Sequence, residues 1–320
     1  MKKIDKHFDQ QVVNTTENVI DANRTEVSVI VPTYRRDREL KRALQTLAEQ
    51  QFSDFEIIVV DDNAEAEWNR IVETVLAQTR KAYPFLNIIY IQNSSTLGSA
   101  EARNAGVRKA QGKYITFLDD DDEYLPEKIA AQWGFMEKEN LDYSITDLAL
   151  YFENGQLSER RSRSYIKKID RQSLLEYHYK HHLTATDAMM FTKAYMETIG
   201  GFPPINVGDE FYLMERAIEE DGKFGYLNNC DVRAYVHMGT ESLSSGKRKI
   251  DGENMLYEHK KKQFHRFSAK TIRYIRMRHY SVLAFAGLRM RKWGYFFRCG
   301  VVAVLSSPLQ CVKMLSQLRQ

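Results

Sequence analysis

Between Val27 and Leu118 the apolar positions alternate between two rhythms. Val27-Ser28-Val29-Ile30-Val31 is a short β-branched run closed by Pro32, and Leu40, Ala43, Leu44 and Leu47 then recur at helical spacing. The cycle repeats, predicting strands over Glu56 to Val60, Asn87 to Ile91 and Lys113 to Leu118, with helices over Trp68 to Thr79 and Ala100 to Ala110. Such alternation implies βαβ units, hence an α/β fold with a mostly parallel, twisted sheet covered on both faces. Beyond Leu125-Pro126 the pattern is mixed. A helix over Glu127 to Glu139 leads to a strand pair over Tyr143 to Phe152, turned by Glu153-Asn154-Gly155. Further helices are expected from Asp170 to Tyr177, ending at Gly200-Gly201, and from Asp209 to Glu220, with strands near Ala185 to Phe191, Phe224 to Tyr226 and Val232 to Val236.

At 320 residues and 43% hydrophobic content, the chain suffices for one large domain and an appended piece. The expected organisation is an N-terminal arm over 1–25, a main domain over 26–257 and an extension over 258–320. The three cysteines, Cys230, Cys299 and Cys311, have no CxxC spacing, which argues against a disulfide framework or a zinc site and fits a reducing cytosol. Residues 1–23 are polar, without the apolar stretch of a signal peptide. Val301 to Leu305 falls far short of the roughly 20 apolar residues of a spanning helix.

Charge is distributed unevenly. Of the 46 Lys and Arg, 14 follow Glu258, where none of the 43 Asp and Glu occur, so an acidic body of net charge −11 carries a basic tail. In that tail Arg273, Arg276, Arg278, Arg289, Arg291, Lys292 and Arg298 alternate with aromatic and aliphatic residues. A basic amphipathic helix of this kind suits an anionic membrane surface. Packing on the main domain, or on a second copy as a homo-oligomer through the C-terminal helices, is the alternative. No recognition motif accompanies the charge, so a nucleic-acid partner is excluded.

In open parallel sheets ligands bind beyond the carboxyl ends of the strands. Those ends carry the chemistry here: Pro32-Thr33-Tyr34, Asp61-Asp62-Asn63 and Asp119-Asp120-Asp121-Asp122. Four consecutive carboxylates after the apolar Ile115 to Leu118 call for a cation. Hard oxygen ligands suit Mg²⁺ or Mn²⁺, which stabilises a departing diphosphate. The alternatives are an acidic loop capping the next helix and, for Asp61-Asp62, an Asx turn. A calcium loop does not fit, because Tyr124 and Ala130 stand where its Gly and closing Glu belong. The chain has neither GxGxxG nor GxxxxGK[ST].

These segments resemble the family 2 glycosyltransferases of the GT-A fold. The similarity rests on Val29 to Tyr34, Ile58 to Asp62, Ala102-Arg103-Asn104-Ala105-Gly106, Phe117 to Pro126, and Val207 to Leu213, in the family's order across roughly residues 26 to 240. It implies a nucleotide-binding, Rossmann-like sheet and an inverting transfer of a hexosyl or N-acetylhexosaminyl group. The donor would be a nucleotide-sugar, with a UDP-sugar favoured, and the acceptor a glycan or lipid-linked hydroxyl in cell-envelope polysaccharide or glycolipid synthesis. The enzyme would be cytoplasmic, peripheral on the inner face of the membrane.

The resemblance also implies that Pro32, Thr33, Tyr34, Asp62, Arg103, Asp119 and Asp120 line the donor, and that Asp121 and Asp119, the DxD pair, hold the metal. His237, in a polar loop, joins the metal or diphosphate on this reading, or is merely a surface residue. Asp209-Glu210 falls where the family has Glu-Asp, in reversed order. Glu210 is the expected catalytic base and Asp209 the second choice; ordinary helix capping is the alternative. A noncatalytic nucleotide-sugar-binding module and a nucleotidyltransferase are the competing functions.

Overall fold

The computed structural model describes residues 25–205, 208–236 and 246–317. Its first half follows the predicted alternation. Strands β1 (Val27–Thr33), β2 (Phe55–Asp61), β3 (Asn87–Gln92) and β4 (Tyr114–Phe117) are linked by helices α1 (Arg38–Ala48), α2 (Ala66–Ala82) and α3 (Ser99–Lys109). They pair in parallel, with Ile30 of β1 between Ile58 of β2 and Phe117 of β4. Val29 to Val31 and Ile57 to Val60 are fully buried, as continuous apolar runs are when helices cover both faces of a sheet. Helix α1 buries Leu40, Ala43, Leu44 and Leu47, one stripe of its surface. Helix α3 lies unusually close to the sheet, since a Cβ on Gly106 would sit 2.5 Å from Ile30 Cγ2.

The second half supplies β5 (Glu123–Tyr124), α4 (Lys128–Glu139), β6 (Tyr143–Thr146), β7 (Leu148–Phe152), β8 (Leu157–Arg161) and α5 (Arg171–His181). A 3-10 turn (Thr186–Ala188), β9 (Met189–Thr192), α6 (Lys193–Thr198), α7 (Asp209–Glu219), β10 (Phe224–Leu227) and β11 (Val232–Val236) follow. The main sheet has the order β10-β6-β9-β4-β1-β2-β3, with β9 antiparallel to both its neighbours. A second sheet has the order β5-β11-β7-β8.

The expected strand pair over Tyr143 to Phe152 is not a hairpin. Its halves, β6 and β7, belong to different sheets and part at Asp147, whose Oδ1 accepts from Arg163 N at 2.8 Å and Tyr226 Oη at 2.9 Å. The Glu153-Asn154-Gly155 turn instead joins β7 to β8, with Gly155 at φ +79°.

Four helices end the described chain: α8 (Gly246–Lys262), α9 (Ala269–Arg289), α10 (Trp293–Ser306) and α11 (Pro308–Gln317). The position between residues 257 and 258 falls inside α8, and Leu256, Tyr257 and Ile275 belong to the main core. Beyond it, α9 and α10 pack as a hairpin around Leu283, Ala284 and Cys299. Trp293, Phe297, Val301, Val304 and Leu305 of α10 and Leu309 and Val312 of α11 are exposed. No helix among the described residues is long and apolar enough to cross a membrane.

Candidate active site

The carboxyl ends of β1, β2 and β4 meet where the strand order reverses around β1, and there the acidic segments collect. Each aspartate of the run after β4 takes a different direction. Asp120 turns inward, accepting from Thr33 Oγ1 at 2.7 Å and Arg36 Nη1 at 2.6 Å, and burial lifts its pKa to about 6. The same Arg36 nitrogen lies 2.7 Å from Asp121 Oδ2, so one guanidinium serves two carboxylates. Arg42 Nη2 donates to the Asp121 carbonyl at 2.5 Å and fixes the loop from the α1 side.

Asp119 faces the buried Arg103 of α3, whose Nη2 donates to Asp119 Oδ1 at 2.6 Å. On its other side Arg103 Nη1 reaches Asp209 Oδ2, at the start of α7, at 3.4 Å. Burial works against the Arg103 charge, but Asp119 and Asp209 outweigh it and hold its pKa above the ordinary value. One guanidinium thus connects the aspartate run to the Asp209-Glu210 pair, reaching a residue 106 positions further along the chain. Next to it, Glu210 accepts a hydrogen bond from Thr186 Oγ1 at 2.6 Å. Burial first, then the Asp209 charge, push the Glu210 pKa up to about 6.

Asp122 completes the run by accepting from Tyr235 N of β11 at 2.9 Å, tying the second sheet to the site. Asp187, in the 3-10 turn before β9, accepts from Asp119 N at 2.6 Å. Carboxylate oxygens of Asp119, Asp122 and Asp187 lie within 4.8 Å of one another. Burial and then the Asp119 charge push the Asp187 pKa up to about 8, and burial together with Asp187 raises that of Asp122. Three crowded carboxylates, all hard oxygen donors and two of them, Asp122 and Asp187, held back from ionising by burial, fit a divalent cation.

The structure therefore brings together Thr33, Arg103, Asp119, Asp120, Asp121, Asp209 and Glu210. It adds Arg36, Thr186 and Asp187, none of them singled out from sequence. Arg36 was signalled only by its place two residues after Tyr34; Asp187 had no local signal at all. Asp121 is paired with Arg36 and is not in the three-carboxylate cluster. Asp62 points to the loop before α3, accepting from Asn93 Nδ2 at 2.8 Å, Leu97 N at 2.9 Å and Gly98 N at 2.8 Å. Its neighbour Asp61 forms the Asx turn, accepting from Asn63 N at 3.0 Å. Tyr34 stands 43% exposed, with its backbone N 3.4 Å from Asp120 Oδ2. His237 and Val207 lie outside the described residues.

Of the three histidines at the end of α5, His181 and His182 are partly buried and only His178 is fully enclosed. His178 is fully buried and stacks on Phe211 at 4.0 Å, its Nε2 2.9 Å from the Phe211 carbonyl.

This fold, with its carboxylates gathered at the strand ends, defines a GT-A glycosyltransferase. The sequence profile of Glycosyl transferase family 2 matches residues 28–199, and the chain belongs to that family. It is 30% identical over 205 residues to the uncharacterized glycosyltransferase MJ1057 of Methanocaldococcus jannaschii, covering 63% of this chain and 67% of that one. It is 34% identical over 143 residues to the GalNAc(5)-diNAcBac-PP-undecaprenol beta-1,3-glucosyltransferase of Campylobacter jejuni, covering 44% of each chain. Among solved structures, the mannosyltransferase PcManGT of Pyrobaculum calidifontis, in complex with GDP-Man and Mn²⁺, superposes with a TM-score of 0.59 at 17% identity, covering 93% of this chain and 86% of that one. S. aureus TarS 1–349 in complex with UDP gives 0.55 at 18% identity, covering 89% and 92%.

Proposed function

We propose that the chain is an inverting transferase that moves a hexosyl or N-acetylhexosaminyl group from a nucleotide-diphosphate donor, a UDP-sugar by preference, to an acceptor hydroxyl. The observation that carries this reading is the Asp119–Arg103–Asp209 bridge, which sets a carboxylate cluster suited to a cation beside a carboxylate able to act as base. Pro32, Thr33, Tyr34 and Asp62 wall the nucleoside side, Asp62 by holding the loop at Leu97 and Gly98 in place.

Asp119, with Asp121 or the Asp122 and Asp187 oxygens, holds Mn²⁺ or Mg²⁺. When bound, the cation neutralises charge on the departing diphosphate. Glu210, oriented by Thr186 and raised toward neutrality, accepts the proton of the acceptor hydroxyl. Attack opposite the leaving group in a single displacement inverts the anomeric carbon. Arg103 fixes Asp119 and Asp209 relative to each other and so sets the spacing between the two half-sites.

The acceptor is a glycan or lipid-linked sugar of cell-envelope synthesis, as the activity named for the Campylobacter relative suggests. The exposed apolar stripe of α10 and α11, beside Arg291, Lys292 and Arg298, rests on the cytoplasmic surface of an anionic membrane. Assay of a panel of nucleotide sugars with Mn²⁺, and again with chelator, tests the reading. Nucleoside diphosphate should be released only with metal. Release of pyrophosphate would identify a nucleotidyltransferase, and binding without turnover a noncatalytic module.

A further inference from the structure

The 3-10 turn Thr186–Ala188 carries two side chains of the site: Thr186 donates to Glu210, and Asp187 belongs to the carboxylate cluster. A turn this short has little bonding of its own, chiefly the hydrogen bond from Ala188 N to the Ala185 carbonyl at 3.0 Å. Ala185, just before it, adopts φ +148° with ψ 112°. A residue with a Cβ keeps such a conformation only where its surroundings over-determine it.

Those surroundings are side chains from other elements. Tyr124 of β5 sets its hydroxyl between the Asp187 carbonyl, at 3.1 Å, and the Phe117 carbonyl at the end of β4, so its one proton is shared between both. Thr116 Oγ1 lies 2.9 Å from that phenol oxygen and donates to the Met189 carbonyl at 2.8 Å. Gln132 Nε2 of α4 donates to the Ala188 carbonyl at 3.1 Å and to Ser144 Oγ at 3.0 Å. The Gln132 oxygen accepts from Lys128, whose Nζ also lies 4.7 Å from the centre of the Tyr124 ring. Three successive carbonyls, those of Asp187, Ala188 and Met189, are thus each met by a different side chain, and Arg163 Nη2 meets the Thr184 carbonyl at 2.6 Å.

Thr116, Tyr124, Lys128 and Gln132 are all buried. Removing one of their polar groups leaves a carbonyl unpaired in the interior, where no bulk water replaces it. The Tyr124 hydroxyl also joins the two pieces of backbone that carry the cluster. Phe117 lies two residues before Asp119, and Asp187 accepts from Asp119 N at 2.6 Å. The separation of the Asp119 and Asp187 carboxylates therefore depends on a phenol that belongs to neither.

We propose that Tyr124, assisted by Thr116 and Gln132, is a positioning residue of the cation site. It sets the Thr186–Ala188 turn against the end of β4 and so holds the Asp119 and Asp187 oxygens at the spacing a divalent cation requires. This rests on the glycosyl-transfer reading and deepens it, adding buried side chains that act through the ligands. Groups that orient metal ligands from behind contribute about 10- to 100-fold in metal affinity.

The test is titration of the full chain with Mn²⁺, reading the free ion by electron paramagnetic resonance, for wild type, Tyr124→Phe, Thr116→Val, Thr116→Ser and Tyr195→Phe. Tyr124→Phe keeps the ring and removes the bridging hydroxyl, and Mn²⁺ affinity should fall by about tenfold or more. Thr116→Val should lower it as well, whereas Thr116→Ser, which keeps the hydroxyl, should retain wild-type affinity. Tyr195→Phe is the control for lost stability. Its buried hydroxyl accepts from Gly222 N at 2.9 Å and donates to the Ala217 carbonyl, at the end of α7 far from Asp209. Its removal should lower the melting temperature without changing Mn²⁺ affinity.

Wild-type affinity in Tyr124→Phe, or an equal loss in Tyr195→Phe, overturns the proposal. Should Tyr124→Phe not fold, the pair at Thr116 decides, and equal Mn²⁺ affinities in the Val and Ser variants overturn it. Absence of Mn²⁺ binding by the wild type removes the cation reading and the proposal together. Tight binding by every variant removes the positioning role alone. Donor turnover by the wild type judges the glycosyl-transfer reading separately, since the titration does not depend on it.

Discussion

Replacing Glu210 with Gln removes a proton acceptor while keeping the shape of the side chain and the oxygen that accepts from Thr186 Oγ1 at 2.6 Å. If Glu210 is the base, kcat should fall by about 10² to 10⁴, or about 3–5 kcal/mol of barrier. The pH profile gives a second signature. Glu210 titrates near 6 rather than at the ordinary 4.5, and a base must be ionised to work. Wild-type kcat/KM should therefore rise with pH to a plateau, with its midpoint at or below about 6, and the Gln variant should lose that limb.

Stability moves the opposite way. The folded pKa lies above the unfolded one, so the neutral carboxyl is preferred on folding. That preference fades as pH rises from 4.5 through about 6, leaving a cost of up to about 2 kcal/mol at neutral pH. The Gln variant escapes this cost, so its melting temperature at pH 8 should equal or exceed that of wild type. Initial rates of nucleoside diphosphate release between pH 5 and 9, with thermal denaturation at the same pH values, supply both readouts. Turnover within tenfold of wild type, with the acid limb intact, would refute the assignment and transfer the role to Asp209.

Three further outcomes follow from the packing. Arg103→Met leaves the buried Asp209 and the partly exposed Asp119 without their shared counter-charge, and urea denaturation should show a loss of about 3 kcal/mol. Gly106→Ala drives a methyl group to 2.5 Å from Ile30 Cγ2 and should destabilise by about 1–3 kcal/mol in the same assay. Val301→Asp places a charge in the exposed stripe of α10; it should leave the melting temperature unchanged and lower partitioning onto anionic vesicles by about tenfold or more.

What the sequence discloses depends on how local the cause is. Strands β1, β2 and β4 were legible because burial on both faces writes an uninterrupted apolar run, and α1 because its stripe recurs every three to four residues. The aspartates after Leu118 were legible because four like charges in succession need an explanation. By contrast, β8 is exposed along its whole length and carries no alternation, so the partner of β7 was missed. The division of β6 from β7 depends on Asp147 receiving bonds from Arg163 and Tyr226, both distant in sequence. Asp187 enters the carboxylate cluster only because β9 inserts antiparallel beside β4. Pairing of Asp121 with Arg36, and of Asp62 with the loop before α3, likewise depends on tertiary geometry that no spacing rule encodes.

Helix α8 crosses the point where the chain changes from acidic to basic, which gives the boundary of charge and the boundary of cooperative folding different addresses. A truncation at Tyr257 would cut through a helix and withdraw Ile275 from the core that supports α5 and α7. A shortened protein that retains the catalytic body is better ended in the bend between α9 and α10, where Arg291 adopts φ +55°. Such a cut sheds the greasy outer helices while sparing the layer that braces the reaction chamber from behind.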